Sequence, residues 1–160
     1  MIHTSLFASP LLALALVAGC AGSGSKQQQQ DPRLAAERAV TFQPTIDQTQ
    51  MAAYAAQTRY PTNASARSDL AVTAEVDSQT GQITIRNWTD RLIRGPHLWV
   101  NRTYVVRLND IPAASRMIVA PQYLYNTGGR NLAGETPRAI QNLQLETEDN
   151  LINVKGPQFQ

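Results

Sequence analysis

The clearest pattern in the chain is a change of hydrophobic period near residue 70. From Leu70 to Val76 apolar residues occupy every second position, and the alternation resumes at Ile83 and Ile85 after the turn-forming residues 77–81. A period of two places successive side chains on opposite faces of a strand. The pattern therefore predicts a β-hairpin that begins at Leu70.

Six further short segments have the composition of strands. They are residues 98–100, 104–108, 116–120, 122–125, 139–146 and 151–154. Short strands at this spacing, separated by Asn, Asp, Gly and Pro, are typical of an antiparallel sandwich or a small open barrel. We therefore predict a mainly β fold, an antiparallel immunoglobulin-like β-sandwich. The resemblance to immunoglobulin domains is architectural, because the chain lacks their cysteine pair.

One or two short helices are expected before the strands. Asp31 and Pro32 suit the N-cap and the first position of a helix that continues through Val40. Thr45 and Gln48 have the spacing of a capping box, which predicts a second helix.

This second helix is expected to end by Tyr60, because Pro61 cannot continue it. Met51, Tyr54 and Ala55 follow helical spacing. These residues are predicted to pack on the following sheet; the alternative is a face that binds another protein.

An apolar run over residues 6–18 precedes the only cysteine of the chain, Cys20. A membrane-spanning helix needs about 20 apolar residues, so this shorter run, interrupted by Pro10, is typical of a signal peptide. The run ends in LVAGC, from Leu16 to Cys20, which resembles the lipobox of bacterial lipoproteins. The resemblance implies cleavage before Cys20, acylation of that residue and a lipid bilayer as its partner. The alternative is an ordinary secretory signal peptide.

The same resemblance implies a location. In Gram-negative lipoproteins, Asp after the lipidated cysteine favours the inner membrane, and Ala21 occupies that position here. The outer membrane is therefore favoured, with the protein on the periplasmic side of the cell envelope. The small and polar residues that follow cannot offset the entropy of ordering, which predicts a flexible tether. The expected organisation is a signal peptide (1–19), a lipidated Cys and tether (20–30), a helical segment (31–61) and a β-sandwich domain (62–160).

Residues 86–108 contain five arginines, both tryptophans and a single acid. Arginine interleaved with aromatic residues can stack on rings and pair with anionic groups. The segment therefore predicts a binding surface for an envelope protein or an anionic polymer. No nucleic-acid partner is predicted, because the protein is exported and no nucleic-acid motif is recognised. The candidate residues are Trp88, Arg91, Arg94, Trp99, Arg102 and Tyr104.

The alternative for this segment is ordinary strand packing, with tryptophan in the core and arginine on a solvated face. Trp88 is out of step with Ile83 and Ile85, whereas Trp99 lies between Leu98 and Val100. At least one tryptophan is therefore expected to face away from the core.

No catalytic constellation is predicted. His97 is the one histidine that remains after residues 1–19 are removed, and no serine lies in a nucleophile-elbow pattern. The chain has no Cys and His set for zinc and no calcium loop. The formal net charge of +2 favours no class of partner. We therefore expect a non-catalytic binding or structural module without a cofactor or metal; the alternative is a small periplasmic hydrolase that uses His97 or Glu146.

Overall fold

Strands make up most of the regular structure in the computed structural model, which describes residues 38–68 and 71–154. Within these residues one α-helix, α1 (Gln48–Gln57), follows the first strand, and short 3₁₀ helices occupy Pro121–Tyr123, Leu132–Gly134 and Pro137–Ala139. The prediction of a mainly β fold is confirmed. The strands are β1 (Arg38–Thr41), β2 (Ala66–Ser68), β3 (Val72–Val76), β4 (Ile83–Asn87), β5 (His97–Val100), β6 (Tyr104–Arg107), β7 (Ser115–Val119), β8 (Leu143–Glu146) and β9 (Leu151–Asn153).

The strands form two sheets that share an apolar core. One sheet has the order β1-β7-β4-β3, and the other has the order β2-β9-β8-β5-β6. Ile85 and Met117 of the first sheet belong to the same buried cluster as Leu98 and Leu145 of the second. Burial of apolar surface contributes about 25 cal/mol per Å². This shared core is therefore the main source of stability.

The prediction that the sheets are purely antiparallel is wrong. Strand β1 runs parallel to β7, and β2 runs parallel to β9, whereas the other strand pairs are antiparallel. Antiparallel neighbours can be joined by a short hairpin, while parallel neighbours require a long connection. Both β1 and β2 precede the hairpin region and reach their partners across long stretches of chain. Hydrophobic alternation reports which faces are buried, and it carries no information about strand direction.

The first predicted helix is wrong over the part that the structure describes. Arg38, Ala39 and Val40 are extended in β1, and residues 31–37 lie outside the described residues. The ladder with β7 continues through Phe42, whose N–H donates to the carbonyl of Ile118 at 2.8 Å. Phe42 is buried in the shared core, so tertiary packing overrides a weak local helix preference.

The second predicted helix is confirmed as α1, with a later start. Asp47 is the N-cap: its Oδ1 accepts from the N–H of Gln50 at 2.8 Å, and Gln50 Oε1 accepts from the N–H of Asp47 at 3.1 Å. This capping box lies two residues beyond the expected Thr45. The helix ends at Gln57, where the N–H of Thr58 donates to the carbonyl of Tyr54.

The predicted hairpin is confirmed as β3 and β4, except that Leu70 lies outside the described residues. Segment 122–125 is not a regular strand, because Pro121 starts a 3₁₀ helix there; within the segment Tyr125 makes isolated bridges to Val105 and Asn131. The predicted strand over residues 139–146 is shorter, since Pro137 opens another 3₁₀ helix and β8 begins at Leu143.

The turn between β3 and β4 requires glycine at position 81. Gly81 has φ +70°, and its N–H donates to the carbonyl of Asp77 at 2.9 Å. A side chain at this φ costs roughly 1 kcal/mol. The nearest atom to a Cβ at this position would be Pro121 Cγ at 3.6 Å, an ordinary contact, so the penalty is conformational.

We therefore expect Gly81→Ala to lower the free energy of unfolding by about 1 kcal/mol in urea denaturation. Gly134→Ala is the matched control, because a Cβ there would meet no atom within 4 Å. Equal losses in the two variants would contradict the explanation.

Candidate functional site

A second apolar cluster lies on the face of the five-stranded sheet that points away from the first sheet. Met51 and Ala55 of α1 pack there with Trp99, Val105 and other buried residues of the sheet side. The spacing of the apolar residues in α1 thus predicts its buried face. As a result, β5 and β6 are covered on both sides.

The loop after α1 completes this cover. Tyr60 packs edge-on against Trp99, with ring centroids 5.3 Å apart and an interplanar angle of 88°. The guanidinium of Arg102 lies over the ring of Tyr60, 5.7 Å from the ring centroid. This cation–π contact joins the β5–β6 turn to the loop.

A chain of hydrogen bonds crosses the boundary between α1 and the sheet. Tyr54 Oη lies 2.5 Å from His97 Nε2, and His97 Nδ1 lies 3.0 Å from Glu146 Oε2. The same carboxylate oxygen accepts from Trp99 Nε1 at 2.7 Å. His97 and Trp99 are two positions apart on β5 and therefore share a face, and His97 is directly opposite Glu146 on β8. Strand period and register therefore place all three on one face, beneath Tyr54.

The carboxylate of Glu146 determines which ring nitrogen of His97 carries a proton in this series of hydrogen bonds. The side chains of His97 and Glu146 are 26% and 27% exposed. An ionised carboxylate only accepts hydrogen bonds, so His97 Nδ1 carries a proton toward Glu146. In neutral histidine Nε2 is then an acceptor, and it receives the hydroxyl of Tyr54. These hydrogen bonds therefore fix the orientation of the Tyr54 ring relative to the sheet beneath it.

A second polar group lies beside this chain. Tyr60 Oη donates to Gln144 Oε1 at 2.7 Å, and Gln144 Nε2 donates to Asn153 Oδ1 at 2.7 Å. Gln144 is buried and lies opposite Trp99 in the ladder. Both ends of the buried amide are thus satisfied, as a buried polar side chain requires.

The structure separates the candidate binding residues predicted from the sequence. Trp88, Arg91 and Arg94 lie on the connection between β4 and β5, and all three are exposed. Trp88 Nε1 donates to Thr73 Oγ1 at 3.2 Å. Trp99 belongs to the second apolar cluster. One tryptophan therefore faces away from the core, as the pattern predicts.

Trp99 and Tyr104 do not lie on an exposed surface, which corrects the predicted binding surface at these two positions. They are 2% and 6% exposed. Trp99 is covered by α1, and Tyr104 lies in the core between the sheets. Arg102 is exposed, but it contacts Tyr60 rather than Trp88.

The connection between β4 and β5 is held by Asn87, which sequence reasoning missed. Asn87 is fully buried, and its Nδ2 donates to the carbonyls of Arg91, Ile111 and Pro112 at 2.8, 3.2 and 2.9 Å. Its Oδ1 accepts from the N–H of Thr89 at 3.1 Å. A polar residue at the last, inward-facing position of a strand is the signal that could have identified it.

Two large apolar side chains extend from this fixed backbone. Trp88 and Leu92 are 42% and 47% exposed. The far end of the connection is held by a bridge between Ile93 and Ile111 and by a hydrogen bond of 2.8 Å from the N–H of Gly95 to Asp110. The connection therefore presents exposed tryptophan, leucine and arginine side chains on a backbone with fixed contacts.

Tyr104 provides a pH-dependent contribution to stability. Its hydroxyl donates to Glu135 Oε1 at 2.8 Å. Burial raises the pKa of Tyr104 above its usual value, and the carboxylate of Glu135 adds to the rise. The folded state thus retains this proton more strongly than the unfolded chain. The contribution is complete below the unfolded pKa of about 10 and is lost as the pH rises toward the folded pKa.

We therefore expect the wild type to lose stability above about pH 10 and Tyr104→Phe to lose less over the same interval. The measurement is urea unfolding at a series of alkaline pH values. Tyr123→Phe removes a phenol elsewhere and serves as the control. The same alkaline loss in Tyr104→Phe and wild type would contradict the assignment.

The fold and site define a mainly β protein of two sheets, with a helix over the outer face of one sheet. Within residues 38–68 and 71–154, no group of three or more His, Cys, Asp or Glu side chains could hold a metal ion. No helix in the described part of the chain has both the length and the apolar character needed to cross a bilayer. No protein-family model, curated protein or solved structure matches the chain.

Proposed function

We propose that the protein is a non-catalytic binding module, held at the cell envelope by a lipid, which binds through the connection between β4 and β5. The observation that carries this proposal is the exposure of Trp88 and Leu92 on a backbone held by Asn87. A fixed backbone reduces the entropy lost when a partner binds. Tryptophan and arginine are also enriched among the residues that dominate interface energies.

The strand order supports an immunoglobulin-like arrangement. Strands β3, β4 and β7 pair as A, B and E do in that fold, and β6, β5, β8 and β9 pair as C′, C, F and G. Strands β1 and β2 are then additions at one edge of each sheet. In this arrangement the β4–β5 connection is the B–C loop, which is a binding loop in antibody variable domains.

The charges of this connection favour an acidic partner, either an envelope protein or an anionic polymer. Arg91 and Arg94 outnumber Asp90 there. Arg91 Nε lies 3.9 Å from Asp90 Oδ1, but both side chains are almost fully solvated, so the pair is weak. Arginine can form two parallel hydrogen bonds with a carboxylate or phosphate.

A photo-cross-linking residue at Leu92 tests this surface in cells that express the full chain. We expect a specific adduct that is lost in Trp88→Ala and weakened by Arg94→Ala, because hot-spot truncations cost about 2 kcal/mol or more. The same cross-linker at Ala133, which is exposed in the 3₁₀ helix Leu132–Gly134, is the positional control. An adduct that persists in Trp88→Ala would contradict the proposed surface.

The lipid anchor is supported by the sequence LVAGC and the apolar run before it, which lie outside the described residues. Each buried methylene of an acyl chain contributes about 0.8 kcal/mol, and stable anchoring requires more than one chain or a second signal. Acylation of Cys20 would supply those chains. The proposed location is the periplasmic side of the outer membrane.

Cys20→Ser is therefore expected to move the protein from the membrane fraction to the soluble fraction. Intact-mass spectrometry should show the loss of the acyl chains in the variant. Serine differs from cysteine by one atom, so the substitution tests the thiol itself. Unchanged fractionation, or a wild-type mass without acyl groups, would exclude the anchor.

One observation favours a second candidate, a small periplasmic hydrolase. In the chain Tyr54–His97–Glu146 the carboxylate orients the imidazole, and the imidazole is placed to accept a proton from the phenol. We prefer the binding module because Glu146 also accepts from Trp99 Nε1, so the network joins the helix to the sheet.

Ester hydrolysis distinguishes the two functions. Turnover by the wild type that is lost in both His97→Gln and Tyr54→Phe, and retained in Trp88→Ala, would establish the hydrolase. The binding module predicts the background rate in all four proteins.

A further inference from the structure

An apolar cleft opens beside α1 and the edge strand β6. It has a volume of about 320 Å³, within the range of about 300–1,000 Å³ that small-molecule sites occupy. Its walls come from the segment before α1, from α1 itself, from β6 and from the 3₁₀ helix that contains Tyr123. The main apolar lining residues are Phe42, Ile46, Met51, Val105, Leu108 and Tyr123.

One wall of the cleft is positioned by the hydrogen-bonded chain described above. Tyr54 lines the cleft, and its hydroxyl is held by His97, which Glu146 orients in turn. Met51, one turn before Ala55 on the same helix, is packed against the sheet. The helix side of the cleft is therefore formed before any ligand enters, which reduces the entropy cost of binding.

The charge at the border of the cleft is positive. Arg107 is the one charged residue among the described lining residues, and Asn109 adds a neutral polar group beside it. The guanidinium of Arg107 lies against Gly95, where a Cβ would be 3.6 Å from its Nε. Across residues 38–68 and 71–154, no carboxylate lies within ion-pair distance of Arg107.

We infer that this cleft binds an apolar molecule that carries one carboxylate, such as a medium-chain fatty acid. The apolar body lies between Phe42, Met51 and Tyr123, and the carboxylate pairs with Arg107. Burial of the ligand's hydrocarbon chain supplies most of the affinity. The charge-assisted hydrogen bonds to Arg107 select the acid over a neutral molecule of the same length. The site uses no residue of the proposed binding surface, so it does not depend on the proposed function.

The test uses NMR of methyl-labelled methionine in the full chain with Cys20→Ser, which removes any acyl group that could compete for the cleft. Met51 lines the cleft, whereas Met117 is fully buried between the sheets and serves as an internal control. The probes are decanoate, decanol and acetate, each below its aggregation concentration. We expect decanoate to shift the Met51 signal and to leave the Met117 signal unchanged. Decanol should bind more weakly, and acetate should have no effect.

A charge variant tests the carboxylate specificity. Arg107→Gln should weaken decanoate binding by roughly tenfold and leave decanol binding unchanged, because only the charged contact is removed. Arg91→Gln, at an arginine outside the cleft, is the matched control and should leave both affinities unchanged. The inference is overturned if decanoate leaves Met51 unmoved, if Met51 and Met117 shift alike, or if decanoate and decanol bind equally well.

Discussion

Replacing Asn87 with alanine should lower the free energy of unfolding by about 2–3 kcal/mol, because the hydrogen bonds from its buried amide to three carbonyls are lost at once and each contributes about 0.5–1.5 kcal/mol. The amide of Asn87 joins Arg91 of the β4–β5 connection to Ile111 and Pro112 of the β6–β7 connection. Each of these carbonyls keeps a second donor, which is Thr89 Oγ1 for Arg91, the N–H of Ile93 for Ile111 and Ser115 Oγ for Pro112. The loss therefore stays below the cost of about 1–3 kcal/mol for each of three unsatisfied acceptors.

Asn87→Asp separates hydrogen bonding from packing. The carboxylate has nearly the same shape as the amide, but it would face carbonyl oxygens that only accept hydrogen bonds. Burial and these acceptors would raise the pKa of the new carboxyl. A raised pKa means that stability is highest below the unfolded pKa of about 3.9 and falls as the pH rises. Asn87→Asp should therefore be less stable at pH 7 than at mildly acidic pH.

Urea unfolding of both variants, followed by tryptophan fluorescence, measures these effects. Asn109→Ala is the matched control, because Asn109 is exposed and its side chain makes one long hydrogen bond of 3.4 Å to the carbonyl of Gln43. Surface changes of that kind stay within about 0.5 kcal/mol. If Asn87→Ala resembles this control, the buried amide does not hold the connections together.

The two tryptophans should differ sharply when each is replaced by alanine. Trp99→Ala is expected to cost about 3–5 kcal/mol, because it leaves a cavity beneath α1 and removes the ring against which Tyr60 packs. Trp88→Ala is the natural comparison: its side chain is 42% exposed and makes one exposed hydrogen bond to Thr73, so its loss should lower the free energy of unfolding by only about 1 kcal/mol.

Trp99→Phe separates the two contributions of Trp99 to stability, which are the packing of its ring and the hydrogen bond of its indole N–H. It retains most of the apolar volume but removes the indole N–H that donates to Glu146. A hydrogen bond to a charged group contributes about 1.5–3 kcal/mol, so Trp99→Phe should lie between Trp99→Ala and the wild type. Hydrogen exchange in α1 should follow the same order, because the indole supports the helix. Equal effects of Trp99→Ala and Trp88→Ala would refute the second apolar cluster as a source of stability.

The parts of the fold that the sequence predicted are those with one buried face. In β3 and β4 the inward residues Val72, Ala74, Ile83 and Ile85 alternate with more exposed residues, so period two is visible. Strand β5 is covered on both sides, and its apolar run from Leu98 to Val100 gives no indication of which side each residue faces. For this reason the sequence did not show that Trp99 packs under a helix.

The site was less predictable because its parts meet through long-range register. His97 and Glu146 were each recognised as candidate residues for a hydrolase, but they are 49 positions apart in the chain. Their contact depends on the pairing of β5 with β8, which no local pattern specifies. Tyr54 joins them only because α1 lies over that face. The exposed arginines and Trp88 on the β4–β5 connection were visible from composition, since that connection is continuous in sequence.

The segment that precedes β3 contributes to both sheets. It supplies β1 to one sheet, β2 to the other and α1 as the cover over Trp99 and Val105. A shortened protein that starts at residue 62, where a sequence-based boundary would fall, would lack β1 and α1. Its outer apolar face would then be exposed to other protein molecules. Recombinant versions that retain solubility should therefore start upstream of Arg38.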